Sequence, residues 1–169
     1  MKKFILIISI ISVILVACKP QQLTPVQKMK KAQTEAQNVE KIELPDFTFY
    51  ATSVEPQFGF ERRISVIATS YMRVGKKNID AQLPYLGRFY VRPLSPLDVP
   101  VRFNSSKFVY AVTYNREDDN FDVLISPQDV SELLNRNMTI KMKMDKDGNG
   151  TVSITTDNRD EVLYRGYYR

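Results

Sequence analysis

The sequence predicts a mainly β protein: a single antiparallel, curved sheet of about eight strands, closed as a barrel or half-barrel, with one N-terminal helix. From Phe47 onward, apolar and polar residues alternate with the two-residue period of strands that bury one face. Before that point, residues 24–43 carry apolar residues at the three-to-four-residue spacing of a helix. A sheet with one apolar face must curl into a barrel or fold over as a sandwich, and the sequence leaves both arrangements open.

The first residues predict where the protein resides. Lys2 and Lys3 precede an uncharged, largely apolar run that is typical of a secretory signal and too short to span a bilayer of about 30 Å. The run ends in Leu15-Val16-Ala17-Cys18, which is similar to the lipobox of bacterial lipoproteins, whose cysteine receives a diacylglyceryl group before cleavage. We therefore expect residues 1–17 to be removed and the mature chain to begin at a lipidated Cys18.

A short polar tether, residues 18–23, leads into the predicted helix over residues 24–43. Thr24, Pro25 and Gln27 occupy the N-cap, first and third positions of a capping box. We expect the helix to dock weakly on the sheet through a narrow apolar stripe, with a solvated stalk as the alternative. The stripe consists of Val26, Met29, Ala32, Ala36 and Val39.

The β domain is expected to cover residues 44–169. Its turns are predicted at residues 74–78, 115–120 and 145–150, which join neighbouring strands into hairpins. The predicted strands include residues 47–51, 64–72, 79–83, 99–103, 108–114, 121–125, 138–144, 152–154 and 162–168.

Two stretches within this domain are more distinctive. Residues 126–134 predict one or two helical turns, capped by Ser126 or Asp129. In the strand that follows, methionine and isoleucine alternate with lysine and threonine, so one face is expected to be buried. We interpret the methionine face as core, with an adaptable apolar cavity as the alternative.

Composition excludes several classes of enzyme. The sequence contains no histidine and one cysteine, which excludes Ser-His-Asp and Cys-His catalysis and nearly every catalytic zinc arrangement. We expect no enzymatic activity and no cofactor. Without the two signal lysines, 22 of the 24 basic residues remain against 19 acidic ones, a net charge of +3 that does not favour nucleic acid as a partner.

Two stretches resemble a known family. Residues 82–93 read Gln-Leu-Pro-Tyr-Leu-Gly-Arg-Phe-Tyr-Val-Arg-Pro, and residues 153–159 read Ser-Ile-Thr-Thr-Asp-Asn-Arg, with Leu-Tyr-Arg-Gly at 163–166. Together they resemble the DUF4251 lipoproteins of Bacteroides-like bacteria, in which Leu86 and Phe89 are more usually Phe and Ala. The resemblance runs from Phe47 to the C-terminus and implies an exported all-β lipoprotein without an assigned activity.

These stretches supply the candidate ligand-binding or structural residues. Pro84 should end a strand, and Gly87 is expected to take a positive φ at a corner. Arg88 should reach back to a carboxylate or to backbone carbonyls, while a ligand clamp of Tyr85, Arg88 and Tyr90 is the alternative. We interpret Asn158 as a turn residue and Arg159 as its salt-bridging neighbour. The candidate residues are Tyr85, Gly87, Arg88, Tyr90, Asn158 and Arg159.

Residues 145–153 resemble the start of an EF-hand calcium loop, with Asp145, Asp147 and Asn149 as candidate metal ligands. The twelfth position is Thr156, where the motif needs a bidentate Glu, and the flanking segments alternate as strands do. We therefore expect a hairpin turn and no tight calcium site. The other acidic clusters fall in predicted turns, which favours solvated charge over an acid/base pair.

The expected protein is a lipid-anchored, non-catalytic binding or structural module of the outer membrane. No acidic residue follows Cys18 until Glu35, whereas surface-exported lipoproteins of the resembling bacteria tend to carry acids there, so we expect the periplasmic side. Its partners would be the membrane, through the lipidated cysteine, and an envelope protein or an apolar ligand. A carrier enclosing an apolar ligand and a carboxylate-dependent hydrolase remain alternatives.

Overall fold

The computed structural model describes residues 24–96 and 99–169. The described chain divides into two units after Ala32, with residues 24–32 in the first and residues 33–169 in the second. Helix α1 (Pro25–Glu43) begins in the first unit, and its N-terminus has the predicted reciprocal cap. The Thr24 N–H donates to Gln27 Oε1 at 2.9 Å, and the Gln27 N–H donates to Thr24 Oγ1 at 3.4 Å. The predicted signal peptide, Cys18 and tether lie outside the described residues.

The second unit contains a single antiparallel sheet, as predicted, and it forms a nearly closed barrel with one unsealed seam. Its main path runs β5-β4-β3-β1-β10-β9-β8-β7-β6, and the short β2 pairs with β1 beside that path. The sheet therefore has nine to ten strands where about eight were expected. The strands are β1 (Phe47–Pro56), β2 (Arg62–Arg63), β3 (Tyr71–Val74), β4 (Ile79–Leu83), β5 (Val101–Ser105), β6 (Phe108–Asn115), β7 (Asn120–Pro127), β8 (Thr139–Asp145), β9 (Asn149–Thr155) and β10 (Val162–Tyr168).

The predicted strand over residues 64–72 is wrong. Residues 67–69 form a 3-10 turn, and β3 begins at Tyr71. The hydroxyls of Thr69 and Ser70 donate to the Val66 carbonyl oxygen, at 3.2 and 3.1 Å. Such local side-chain hydrogen bonds compete with strand pairing, and here they hold the chain in a turn despite its β-branched residues.

The helical turn expected over residues 126–134 lies later, at Leu133–Asn135, and its cap is not the predicted one. Asp129 instead accepts hydrogen bonds from the backbone N–H groups of Ser106 and Lys107, at 2.8 and 3.1 Å. The residue thus fastens the connection between β5 and β6. A hydrogen bond from the Ser105 hydroxyl, together with that from the Ser106 N–H, holds the pKa of the Asp129 carboxyl well below its usual range.

The barrel interior is filled by side chains from alternate residues of the strands. Along β8, the inward residues Ile140, Met142 and Met144 are buried while the lysines between them are exposed. They belong to one contiguous apolar cluster that also contains Phe49 and Tyr164. The methionine face of β8 is therefore part of the core.

Within the second unit, the C-terminal turns of α1 meet the sheet. Ile42 is fully buried, and its carbonyl oxygen accepts a hydrogen bond from the Tyr110 hydroxyl at 2.6 Å. The Asn38 side chain donates to the Lys146 carbonyl oxygen at 2.9 Å. Asn38 and Ile42 are four residues apart and so lie on the same face of the helix.

The apolar stripe predicted for α1 packs against the core only at its C-terminal end. Val26 and Met29 are each 75% exposed, and Ala36 is exposed as well. Of the predicted members, Val39 packs partly against the core. Which residues of α1 are buried depends on where its last turns meet the strands. The helical period alone does not reveal this. In the described part of the chain, no helix is long and apolar enough to cross a membrane.

Candidate functional site

The two distinctive sequence stretches meet at the end of the barrel where β1 finishes and β10 begins. Phe89 and Arg159 form an isolated antiparallel bridge between the β4–β5 and β9–β10 connections. Beside it, the Tyr90 N–H donates to the Asn158 carbonyl oxygen at 2.9 Å, and the Asp160 N–H donates to the Arg88 carbonyl oxygen at 3.0 Å. We call the five side chains gathered here the clasp: Tyr85, Arg88, Tyr90, Arg159 and Asp160.

Asp160 lies at the centre of the clasp and is 2% exposed. Its carboxylate accepts hydrogen bonds from Arg88 Nε at 2.9 Å, the Arg88 backbone N–H at 3.2 Å and the Tyr90 hydroxyl at 2.5 Å. Burial alone would raise the pKa of this carboxyl, but the Tyr90 and Arg88 hydrogen bonds outweigh it and hold the pKa below its usual value. Arg88 thus finds the carboxylate partner that the structural interpretation required.

Tyr85 also links the β4–β5 and β9–β10 connections. Its side chain is buried, and its hydroxyl donates to the Arg88 carbonyl oxygen at 2.7 Å, with the Asp160 carbonyl oxygen 3.2 Å away. Burial, together with the nearby Asp160 carboxylate, raises the pKa of Tyr85 to about 12. Tyr85 is therefore a neutral hydrogen-bond donor at physiological pH. Because it is buried, it does not share an exposed face with Arg88 and Tyr90, as a three-residue ligand clamp would require.

Arg159 joins a third connection, between β7 and β8, to the clasp. Its side chain is 3% exposed and donates to the Leu134 carbonyl oxygen at 3.0 Å and to Asn135 Oδ1. Its guanidinium carbon lies 5.0 Å from the centroid of the Tyr85 ring. Burial lowers the pKa of this guanidinium from its ordinary value. Among the described residues, its partners are carbonyl oxygens and a ring, where the sequence predicted a salt bridge.

Asn158 adds to this attachment, since its side-chain amide donates to the Leu133 carbonyl oxygen at 2.5 Å. Asn158 and Arg159 therefore hold consecutive carbonyls of one helical turn. The clasp as a whole fixes three connections of the barrel to one another. The buried polar groups of Tyr85, Asp160 and Arg159 all take part in hydrogen bonds between these connections.

The predicted positive φ of Gly87 is wrong, because the described glycines with positive φ are Gly59 and Gly148. Gly87 is needed for space instead. A Cβ at this position would lie 2.7 Å from Tyr85 Cζ and would collide with the Tyr85 hydroxyl. The glycine lets the backbone pass directly over the tyrosine ring, so its role is packing and not conformation.

The outer side of the clasp is exposed. The Arg88 side chain is 65% exposed, and its guanidinium carbon lies 4.1 Å from the centroid of the Phe58 ring, which projects from the β1–β2 connection. Tyr90 is 61% exposed and Phe58 62%. Arginine and aromatic side chains of this kind are enriched at protein interfaces, so this side of the clasp is a candidate binding surface.

The acidic hairpin at residues 145–149 uses its oxygen atoms internally. Asp145 accepts hydrogen bonds from the Asn149 N–H at 2.8 Å and from the Asn149 side-chain amide at 3.1 Å. Gly148, at φ +96°, provides the positive φ that the turn requires. Within residues 24–96 and 99–169, no group of three or more acidic, histidine or cysteine residues could hold a metal ion.

Replacing Arg88 by alanine should destabilise the protein, because the buried Asp160 carboxylate would lose a hydrogen bond from a charged donor. The Asp160 carboxylate would lose one partner but keep the backbone N–H and the Tyr90 hydroxyl. Because the folded-state pKa of Asp160 is lowered, its contribution is complete above an unfolded pKa of about 4 and is lost as pH falls through the folded value.

The difference between wild type and Arg88→Ala should therefore shrink in acid, which chemical denaturation at several pH values would measure. Arg62→Ala, which removes an exposed arginine of β2, is the matched control. An Arg88→Ala protein as stable as this control at neutral pH would contradict the structural role.

Comparison with known proteins identifies a family and a similar fold. A family model described as "Domain of unknown function (DUF4251)" matches residues 29–168. The crystal structure of a DUF4251 family protein from Bacteroides eggerthii is similar in fold, with a TM-score of 0.59, 16% sequence identity, and coverage of 84% of this chain and 91% of that one. No curated protein matches the sequence significantly.

Proposed function

This chain belongs to the DUF4251 family, and we propose that within it the protein is a non-catalytic binding or structural module, anchored to the outer membrane through a lipid on Cys18. The sequence supports the anchor, because Leu15 to Cys18 match a lipobox behind a basic and apolar leader. The run Lys19 to Leu23, which lacks acids, favours the periplasmic side.

The observation that carries the non-catalytic proposal is the saturation of Asp160. A general acid or base must exchange its proton with a substrate, and its pKa is usually tuned toward neutrality. Asp160 has the opposite properties: it is buried, it accepts three hydrogen bonds, and its pKa is lowered. The clasp thus stabilises the fold. We propose that the exposed Arg88, Tyr90 and Phe58 form the binding surface.

The packed interior of the barrel favours this proposal over a carrier. Lipocalin-like carriers hold their ligand inside the barrel. Here the inward residues of β8, β9 and β10 are buried in one cluster, with Met142, Ile154 and Tyr164 among them. A ligand of this protein is therefore better accommodated on the outside of the barrel. We propose that it binds to the outer side of the clasp.

Cys18→Ala should release the protein from the membrane and block cleavage of the leader, because the sequence provides no other cysteine to accept the lipid. The measurement is fractionation of cells expressing the full chain, with mass analysis of its N-terminus. Cys18→Ser is a useful control, since it keeps the size of the residue and removes the thiol. Membrane attachment of both variants at the wild-type level would disprove lipid anchoring at this position.

A further inference from the structure

A cavity of about 630 Å³ lies beside the edge strand β5, whose outward residue Arg102 lines it. Two connections complete its walls. Arg92, Leu94 and Pro100 come from the β4–β5 connection, and residues 132–135 come from the β7–β8 connection. The volume lies within the range of about 300 to 1,000 Å³ that is usual for small-molecule sites. The cavity shares no residue with the outer side of the clasp, so it is a second candidate site.

The walls of this cavity are fixed to one another by hydrogen bonds from two buried side chains. Asn135 is 4% exposed, and its side-chain amide donates to the Arg102 carbonyl oxygen of β5 at 2.9 Å. Arg159 binds both connections, since it donates to the Leu134 carbonyl oxygen at 3.0 Å and to the Val99 carbonyl oxygen at 3.4 Å. The cavity therefore keeps its shape without a ligand. A preformed site of this kind does not lose the free energy of ordering its walls on binding.

Charged groups of both signs line the cavity. Arg92, Arg102 and Glu132 are all exposed, and none of them forms an ion pair with another described residue. Asp80 is the remaining charged residue of the lining, and its carboxylate accepts a hydrogen bond from the Tyr71 hydroxyl at 2.8 Å. The lining thus balances two positive charges against two negative ones. This balance favours a ligand that itself carries one charge of each sign.

Apolar side chains of the lining remain uncovered. Leu94 is 89% exposed and Leu133 is 39% exposed, although the neighbouring Leu134 is buried in the same wall. An apolar group of a ligand would remove the surface of Leu94 and Leu133 from water, which favours binding. A ligand of this cavity should therefore combine two opposite charges with an apolar group.

We propose that the cavity binds a short peptide with an apolar side chain, a ligand beyond the binding surface proposed for the clasp. The peptide carboxylate lies against Arg92 and Arg102, because a guanidinium can bind a planar carboxylate through two parallel hydrogen bonds. The peptide ammonium group lies against Glu132. Its apolar side chain covers Leu94 and Leu133. A dipeptide carries all three features and is small enough for 630 Å³, whereas a phospholipid with two acyl chains is too large.

Calorimetric titration with the dipeptide alanyl-leucine tests this proposal, using the full chain held in phosphatidylcholine nanodiscs. We expect saturable binding, weakened about tenfold or more when the peptide amine is acetylated or its carboxylate amidated. Arg102→Gln should weaken binding of the free dipeptide by a similar factor and have little effect on the amidated one. Glu132→Gln should remove the preference for the free amine. Both side chains are exposed, so the melting temperature should stay unchanged.

Arg62→Gln changes an exposed arginine outside the cavity, so this matched control should bind the dipeptide as the wild type does. The absence of saturable binding would overturn the proposal, as would equal affinities for the free, acetylated and amidated peptides. Equal weakening by Arg62→Gln and Arg102→Gln would overturn it too, because the effect would then not come from the cavity. Tighter binding of phosphoethanolamine than of the dipeptide would also overturn it, in favour of a lipid headgroup.

Discussion

Gly87→Ala is expected to destabilise the domain by about 2 to 3 kcal/mol, a large overpacking effect for one added methyl group. The new Cβ would collide with the Tyr85 side chain, whose Cζ lies 2.7 Å from the position it must occupy. Tyr85 cannot simply move away, because its hydroxyl is bonded beneath the Arg88 carbonyl. In a soluble chain lacking residues 1–18, the melting temperature should fall by about 2 to 4 °C for each kcal/mol of lost stability.

A double-mutant cycle identifies the cause of this effect. If the tyrosine ring is responsible, Gly87→Ala should cost much less in a Tyr85→Leu background, giving a clear coupling energy between the two positions. Gly75→Ala is the matched control, because its new Cβ would meet the Asn78 side chain at 3.2 Å in an exposed turn. Equal costs of Gly87→Ala in both backgrounds would place the cause in the backbone and contradict our interpretation.

Arg159→Ala should be strongly destabilising, by about 3 to 5 kcal/mol, because two buried acceptors would lose their donor and a void would form. The substitution would leave the Leu134 carbonyl oxygen and Asn135 Oδ1 without their donor in a buried site, and it would open a void over the Tyr85 ring. Arg159→Lys should recover only part of the loss, since an ammonium cannot reproduce the fork of donors. Denaturant unfolding of the same soluble chain measures both.

Arg165→Ala is the control for this experiment. Arg165 lies on β10, is 46% exposed, and pairs with Glu55 at 2.7 Å. An exposed ion pair of this kind contributes about 0 to 1 kcal/mol. If Arg159→Ala were no more destabilising than Arg165→Ala, the buried arginine would not be the attachment point for the β7–β8 connection that we describe.

Local patterns were sufficient to predict much of the fold. The alternation along β8 identifies its inward residues, and the capping box at Thr24 marks the start of the helix. These predictions succeeded because period and capping depend on neighbours within a few residues. The segment at residues 67–69 misled for the same reason, since its β-branched residues suggest a strand while two nearby hydroxyls stabilise a turn.

The candidate site could be located from the sequence but not fully explained by it. The Tyr85 and Arg159 stretches are distinctive in the sequence, but nothing local to Asp160 distinguishes it from the neighbouring acids Asp157 and Glu161. Its importance depends on Arg88 and Tyr90, which lie about 70 residues away in the sequence. The role of Gly87 was likewise misjudged, because contact with Tyr85 depends on how the connection crosses the ring.

The position of β1 in the sheet has a consequence for biogenesis. The first strand lies between β3 and the last strand, β10, so that Phe49 pairs with Tyr168 and the Thr48 backbone bonds to Arg169. Pairing β1 with β10 requires nearly the whole β domain to close into one loop, which costs conformational entropy. Proteins rich in contacts between residues distant in sequence fold slowly. A chain exported from its N-terminus would hold β1 without one of its neighbours until the final residues emerge. Throughout that interval the apolar face of β1 would lack one of its neighbours, and such exposed strands are prone to aggregate.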